Sequence, residues 1–167
     1  GEIYKDTVDI IMCESMSSIF EGRNASRVAK EFSERVWLSW TNRGHQPDQL
    51  PSTEALSKAV DFSIEADVEC TLINCSHADM ASNSIKELKR ASRFGIFANS
   101  STFKEVDLSV ATKDVDAIHH LNSEEISAKE YAMIALSWAK EGAFVVGGCC
   151  GTTVEHTREI KLLMDSL

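Results

Sequence analysis

The sequence predicts an α/β protein built on a parallel sheet of five βα units, and three observations predict it. Short apolar runs rich in β-branched residues recur five times along the 167 residues. Amphipathic stretches with a helical period lie between them, and the apolar runs show little polar alternation. Runs of that kind are expected of strands covered on both faces. Strands that alternate with helices argue for parallel pairing with right-handed crossovers.

The first run, Val8 to Glu14, is followed by a stripe of Ala25, Val28, Ala29 and Phe32 at i, i+3, i+4, i+7 spacing. The second, Val36 to Trp40, leads through a long connection, Thr41 to Ser52, into a helix marked by Leu56, Ala59, Val60 and Ser63. Ser52 or Thr53 is its predicted N-cap. The third, Val68 to Cys75, precedes a weaker stripe of Ala81, Ile85, Leu88 and Ser92. The fourth, Phe94 to Ser100, opens a second long connection, Ser101 to Leu121. Tyr131, Ile134, Ala135 and Trp138 mark a helix predicted to open at Asn122 or Ser123 and to close near Gly142. The last run, Ala143 to Gly147, is followed by a helix carrying Ile160, Leu163 and Leu167. Both long connections leave the C-terminal end of a strand, where α/β folds place binding and catalytic loops.

Length and composition fit one domain, residues 1–167. Hydrophobic residues make up 43% and charged residues 26%, which is globular rather than disordered. Seventeen Lys and Arg against twenty-six Asp and Glu give a net charge of −9, which argues against a nucleic-acid surface. No apolar run reaches the ~18 residues of a membrane span. The start shows no basic segment followed by an apolar one. Five cysteines are an odd number and too few for a disulfide scaffold. A cytoplasmic, membrane-free protein is expected.

The chemistry is concentrated in Gly147-Gly148-Cys149-Cys150-Gly151-Thr152-Thr153, at the end of the last run. Neighbouring side chains on extended backbone diverge, but flanking glycines permit dihedral angles that turn two sulfurs toward one point. A vicinal disulfide would be strained. A Zn²⁺ ion held by both thiolates at about 2.3 Å fits better. Cys75 closes Leu72-Ile73-Asn74-Cys75 at the same end of its own strand and is the predicted third ligand. Three thiolates leave a fourth position for substrate, the pattern of a catalytic rather than a structural zinc. Cys13 and Cys70, inside strand runs, are read as small buried hydrophobes. Trp37, Trp40 and Trp138 are read as packing residues.

In chain order, Ile73-Asn74-Cys75, Phe97-Ala98-Asn99-Ser100, Tyr131-Ala132 with Trp138, Gly142-Ala143, the Gly147–Thr153 motif and Glu155-His156 resemble the zinc-dependent homocysteine S-methyltransferase family. The resemblance implies a (β/α)8 TIM barrel, with the five runs as strands four to eight. It implies zinc on Cys75, Cys149 and Cys150, and methyl transfer to the thiol of homocysteine to form methionine. It also implies that Glu14 binds the substrate's amino group and that Asn74 and Asn99 bind substrate at strand ends. Ala98 and Val154 stand where the family has Pro, and Ser101 where it has Gly.

A full barrel takes ~250 residues, so the chain is expected to be the C-terminal portion of a homocysteine-binding barrel. The family's glycine-rich acidic motif after the first strand has no counterpart here. Expected partners are homocysteine, a methyl donor, and either a missing N-terminal barrel segment or a second copy that covers the open sheet. The alternative expectation is a non-catalytic zinc-thiolate or degenerate barrel module acting as an interaction protein.

Overall fold

The computed structural model describes residues 7–103 and 123–166. One five-stranded sheet carries the fold. Its strands are β1 (Ile11–Met16), β2 (Val36–Trp40), β3 (Cys70–His77), β4 (Phe94–Asn99) and β7 (Val145–Gly148). They lie in that order, and every neighbouring pair is parallel. A short antiparallel pair, β5 (Ser101–Phe103) with β6 (Ser123–Glu125), forms a second two-stranded sheet and lies between β4 and β7 in sequence. The helices are α1 (Ile19–Ala29), α2 (Leu56–Glu65), α3 (Ala78–Asn83), α4 (Ile85–Leu88), α5 (Ala128–Lys140) and α6 (Val154–Met164).

Consecutive parallel neighbours joined by helical crossovers are the repeating unit of a barrel wall, so the five predicted βα units are present in the predicted order. Trp40, Trp138, Tyr131, Leu38, Ile73 and Ile96 are fully buried in one core between sheet and helices. Leu72 and Cys70 are also fully buried. The α2 stripe Leu56, Ala59, Val60 and Ser63 is buried in full, and Ser63 accepts a 3.0 Å hydrogen bond from the Trp40 indole.

Several boundaries differ from expectation, each for a local reason. The α2 N-cap is Ala55, because the Ser52 hydroxyl is donated instead to the Glu54 carboxylate at 2.7 Å. The stripe from Ala81 to Ser92 is two short helices. Ser84 sits at the break, its hydroxyl bonded back to the Met80 carbonyl at 3.0 Å and to Asn42 of the β2 loop at 3.4 Å. The α5 N-cap is Ser127, in a reciprocal box with Glu130. Ser123 belongs to β6, while Asn122, most of the predicted Ser101–Leu121 connection and Leu167 lie outside the described residues.

Tyr131 of α5 ties the sheet together. Its buried hydroxyl reaches the carbonyls of Ala98 on β4 at 2.7 Å and Gly147 on β7 at 2.8 Å, and burial pushes its pKa up. Tyr131→Phe removes the shared donor without changing the packed ring. The expected cost is about 1–2 kcal/mol, read as a lower urea midpoint with an unchanged denaturant slope.

Among the described residues, β1 and β7 have a strand neighbour on one side only. An open groove of about 410 Å³ runs beside β1, lined by Val8, Ile11, Cys13, Ala25, Val28 and Phe32 among other apolar side chains. It carries no polar chemistry. Among the described residues no helix is long and apolar enough to cross a membrane.

Candidate metal centre

The C-terminal ends of β3, β4 and β7 converge on one cleft, and two local irregularities aim the sulfurs into it. At the end of β3 the pairing with β4 slips between Asn74 and His77. Cys75 sits in that slip with φ 52°, a left-handed conformation that costs a non-glycine residue roughly 1–2 kcal/mol. The slip turns Cys75 off the regular alternation of its strand. Its carbonyl accepts from the Thr41 hydroxyl at 3.4 Å.

The Cys149-Cys150 turn is clamped by the end of β4. Cys149 N–H donates to the Ala98 carbonyl at 2.8 Å, Cys150 N–H to Asn99 Oδ1 at 3.1 Å, and Ser100 N–H to the Cys150 carbonyl at 3.0 Å. The Cys149 carbonyl accepts from both the backbone and the hydroxyl of Thr152, at 3.2 and 2.7 Å. Two glycines make this turn feasible. Gly151 has φ 76°, and a Cβ there would lie 2.5 Å from Ser100 Oγ. A Cβ on Gly148 would lie 2.4–2.6 Å from three atoms of the Thr152 side chain.

Three sulfurs meet as a result. Cys75 Sγ is 2.9 Å from Cys149 Sγ and 3.6 Å from Cys150 Sγ, and the two doublet sulfurs are 3.9 Å apart. No disulfide joins them: all five cysteines are free thiols. Tetrahedral metal with bonds of about 2.3 Å sets its sulfurs roughly 3.8 Å apart. Two of the separations already match, and the Cys75–Cys149 pair has only to open by roughly 0.9 Å on that geometry. Among the described residues this is the one group of three or more metal-ligating side chains, all within 4.8 Å of one another. Burial, and next the adjoining Cys149 thiol, push the Cys75 pKa up to about 12. A divalent cation would be bound by the three sulfurs as thiolates, drawn to one centre. The donor set therefore fits a thiophilic ion.

The cleft measures about 750 Å³ and is lined by Cys75, Cys150, Asn99, His77, Arg43 and Glu125, among others. It brings polar groups of both signs to the sulfur cluster. Asn99 lines it and holds the Cys150 amide. Asn74, expected at the pocket, is instead nearly fully buried beneath it. Its side-chain oxygen accepts from Ser39 Oγ at 2.6 Å and from Ser15 N at 2.9 Å, and its nitrogen donates to Ser15 Oγ at 2.8 Å. The structure thus consumes the Asn74 amide in support of the strand ends. Glu14 is exposed at the C-terminal end of β1 and is not among the residues lining the cleft.

Sequence reasoning missed Ser15 and Ser39, which contact Asn74 from other strands. The one signal available was their position near the ends of β1 and β2. It also gave no role to Ser101, whose hydroxyl lies 2.9 Å from His77 Nδ1. His156 lies in the first turn of α6, where its Nδ1 accepts from the Thr153 amide at 3.1 Å.

Comparison with known proteins is consistent throughout. The family model for homocysteine S-methyltransferase matches residues 2–164. Homocysteine S-methyltransferase YbgG of Bacillus subtilis (strain 168) is 26% identical over 162 residues, covering 95% of this chain and 48% of that protein. Two solved structures of the homocysteine methyltransferase MmuM from Escherichia coli share the fold at 19% identity. The apo form has a TM-score of 0.65 over 93% of this chain and 50% of that one. The metallated form has a TM-score of 0.66 over 94% and 46%. These neighbours are barrels, so the five parallel strands are part of a barrel wall, and the chain spans about half the length of the relatives it matches.

Proposed function

Because the chain belongs to the homocysteine S-methyltransferase family, we propose that it forms the metal-bearing part of an enzyme that transfers a methyl group to homocysteine. The observation that carries this reading is the convergence of Cys75, Cys149 and Cys150, from strands far apart in sequence, to within 4.8 Å of one another beside an open cleft that Cys75 and Cys150 line. Zn²⁺ is the proposed ion, because an all-thiolate donor set of this kind suits it. When bound, it supplies Lewis-acid activation that presents an incoming thiol as a thiolate near neutral pH.

The chain's own residues do the rest. Cys75, Cys149 and Cys150 would hold the ion beside the cleft. Asn99 and Ser100 fix the doublet through its backbone, so the ligands are set before substrate arrives. The cleft orients the homocysteine sulfur in line with the methyl group of a donor. Positioning of this kind lowers the barrier without a general base at carbon. The new S–CH₃ bond forms as the donor's bond to that methyl breaks. The donor's leaving group takes the electron pair, and the thiol proton passes to solvent. Glu14 and Asn99 are the proposed contacts to the polar groups of homocysteine, with Glu14 brought into use once the strands that complete the barrel lie beside β1. Those strands, in the parent protein, are the proposed cover for the groove along β1. A cytoplasmic location suits a site of free thiols, which oxidising compartments do not preserve.

The test is methionine formation by the full-length parent protein supplied with homocysteine and, in turn, betaine, S-methylmethionine, S-adenosylmethionine and methylcobalamin. Zinc-dependent product with one of these donors is the expected result. Stoichiometric zinc with no turnover on any of them would overturn the enzymatic reading.

A further inference from the structure

Two aromatic rings hold the two ends of the cysteine turn, and one of them belongs to a buried histidine. His156 is the third residue of α6, with 9% of its surface exposed. Its Nδ1 accepts the Thr153 amide proton at 3.1 Å and lies 3.0 Å from Thr153 Oγ1. A backbone N–H can only donate, so Nδ1 carries no proton and the ring's N–H is at Nε2. That Nε2 is buried and has no hydrogen-bond partner among the described residues. The imidazole packs edge to face on Tyr131 of α5, with ring centroids 5.6 Å apart and planes at 77°.

An unpaired donor in the interior is costly. A Glu or Gln at this third helical position would accept the same amide proton without that cost. The imidazole adds what those side chains lack, a rigid ring seated on Tyr131. Tyr131 in turn reaches the carbonyls of Gly147 and Ala98, and the Ala98 carbonyl also takes the Cys149 N–H. The backbone entering the doublet is thus fixed from α5. On leaving it, Thr152 holds the Cys149 carbonyl by both amide and hydroxyl, and Thr153, the next residue, is held from α6 by His156. Gly148 and Gly151 flank the doublet and leave its backbone conformationally free. The placing of the two sulfurs therefore depends on what fixes the two ends.

We propose that His156 is a positioning residue for the Cys149-Cys150 turn: its ring is seated on Tyr131 so that Nδ1 meets the Thr153 amide and fixes the exit of the turn. This rests on the metal reading of the cysteine cluster. His156 acts through the backbone, by way of Thr153 and Thr152, and holds the doublet in the arrangement that the third sulfur requires. Groups that orient metal ligands from outside typically account for about 10–100-fold in affinity. The lower end of that range is expected here, because the contact is relayed through two residues.

The experiment is anaerobic titration of the reduced full-length parent protein with Co²⁺, read by its tetrahedral d–d bands, followed by Zn²⁺ competition against a chelator. His156→Phe keeps a ring against Tyr131 and deletes the acceptor. It is expected to weaken the tetrahedral bands and to lower Zn²⁺ affinity about tenfold. His156→Gln restores an acceptor for the Thr153 amide, and is expected to recover the bands and an affinity within about threefold of wild type. Wild-type bands and affinity in His156→Phe, even with a lower urea midpoint, would reduce His156 to a helix cap and overturn the proposal. A loss in His156→Gln as large as in His156→Phe would overturn it too. The imidazole ¹⁵N signals of the wild-type protein give a test that needs no variant: an Nε2–H tautomer is expected, and an Nδ1–H tautomer would refute the contact to Thr153. Absence of tetrahedral bands in the wild-type protein would overturn the metal reading itself.

Discussion

Cys150→Ser in the full-length parent protein is expected to abolish stoichiometric zinc retention after dialysis and to remove methyl transfer with it; Cys149→Ser should do the same. The effect is large because a hydroxyl is a far poorer ligand than a thiolate, and two remaining sulfurs do not make a closed set. The fold should survive. Cys150 is exposed and Cys149 only half-buried, and the turn is held by backbone bonds to Ala98 and Ser100 and by Asn99, none of which involves sulfur. Circular dichroism and metal analysis on the same sample check this, and zinc retained in both serine variants would remove the ligand assignment. Cys70→Ser is the contrast. Burial pushes that thiol's pKa up to about 12, and the residue lies at the opposite end of β3, so its substitution should affect stability rather than metal.

Gly148→Ala is the second large effect, because a single methyl group reaches the ligands through one neighbour. The added Cβ would overlap Thr152 at Oγ1, Cγ2 and Cβ together. Thr152 has no free direction of retreat, since its hydroxyl and its amide both hold the Cys149 carbonyl. The backbone of the cysteine turn must therefore move. Overpacking of this kind typically costs about 1–3 kcal/mol, and a displaced ligand adds a loss of metal affinity on the order of tenfold or more, as supporting contacts to ligands do when broken. Chelator competition and urea unfolding measure the two parts separately. An unchanged zinc affinity would show that the turn has slack the packing does not suggest.

The sheet was legible because its signal is local. Unalternating apolar runs mark the interior of each strand, and α2's stripe of Leu56, Ala59, Val60 and Ser63 is buried as its spacing demands. Strand ends were not legible. β1 begins at Ile11 and continues through Ser15 to Met16, and β3 runs past Cys75 to His77, because irregular residues with positive φ extend each strand beyond the run that announces it. Those conformations are imposed by tertiary contacts and leave no mark in composition. The α3–α4 break is similar: Ser84 interrupts the stripe by bonding both Met80 and the β2 loop.

At the site, the cysteine doublet was legible because adjacent sulfurs between glycines have few other uses, and Cys75 followed from its matching strand end. The place of Asn74 was not. An amide beside a ligand reads as a pocket residue, and only the positions of Ser15 and Ser39 show that both of its ends are already spent in the core.

Cys75, Cys149 and Cys150 are proposed to bind one zinc and to leave a position for substrate sulfur. X-ray absorption at the zinc edge on the full-length parent protein tests this proposal most directly. Three sulfur scatterers at about 2.3 Å with one lighter ligand are expected, rising to four sulfurs when homocysteine is added. A shell dominated by nitrogen and oxygen, or a sulfur number indifferent to homocysteine, would contradict it.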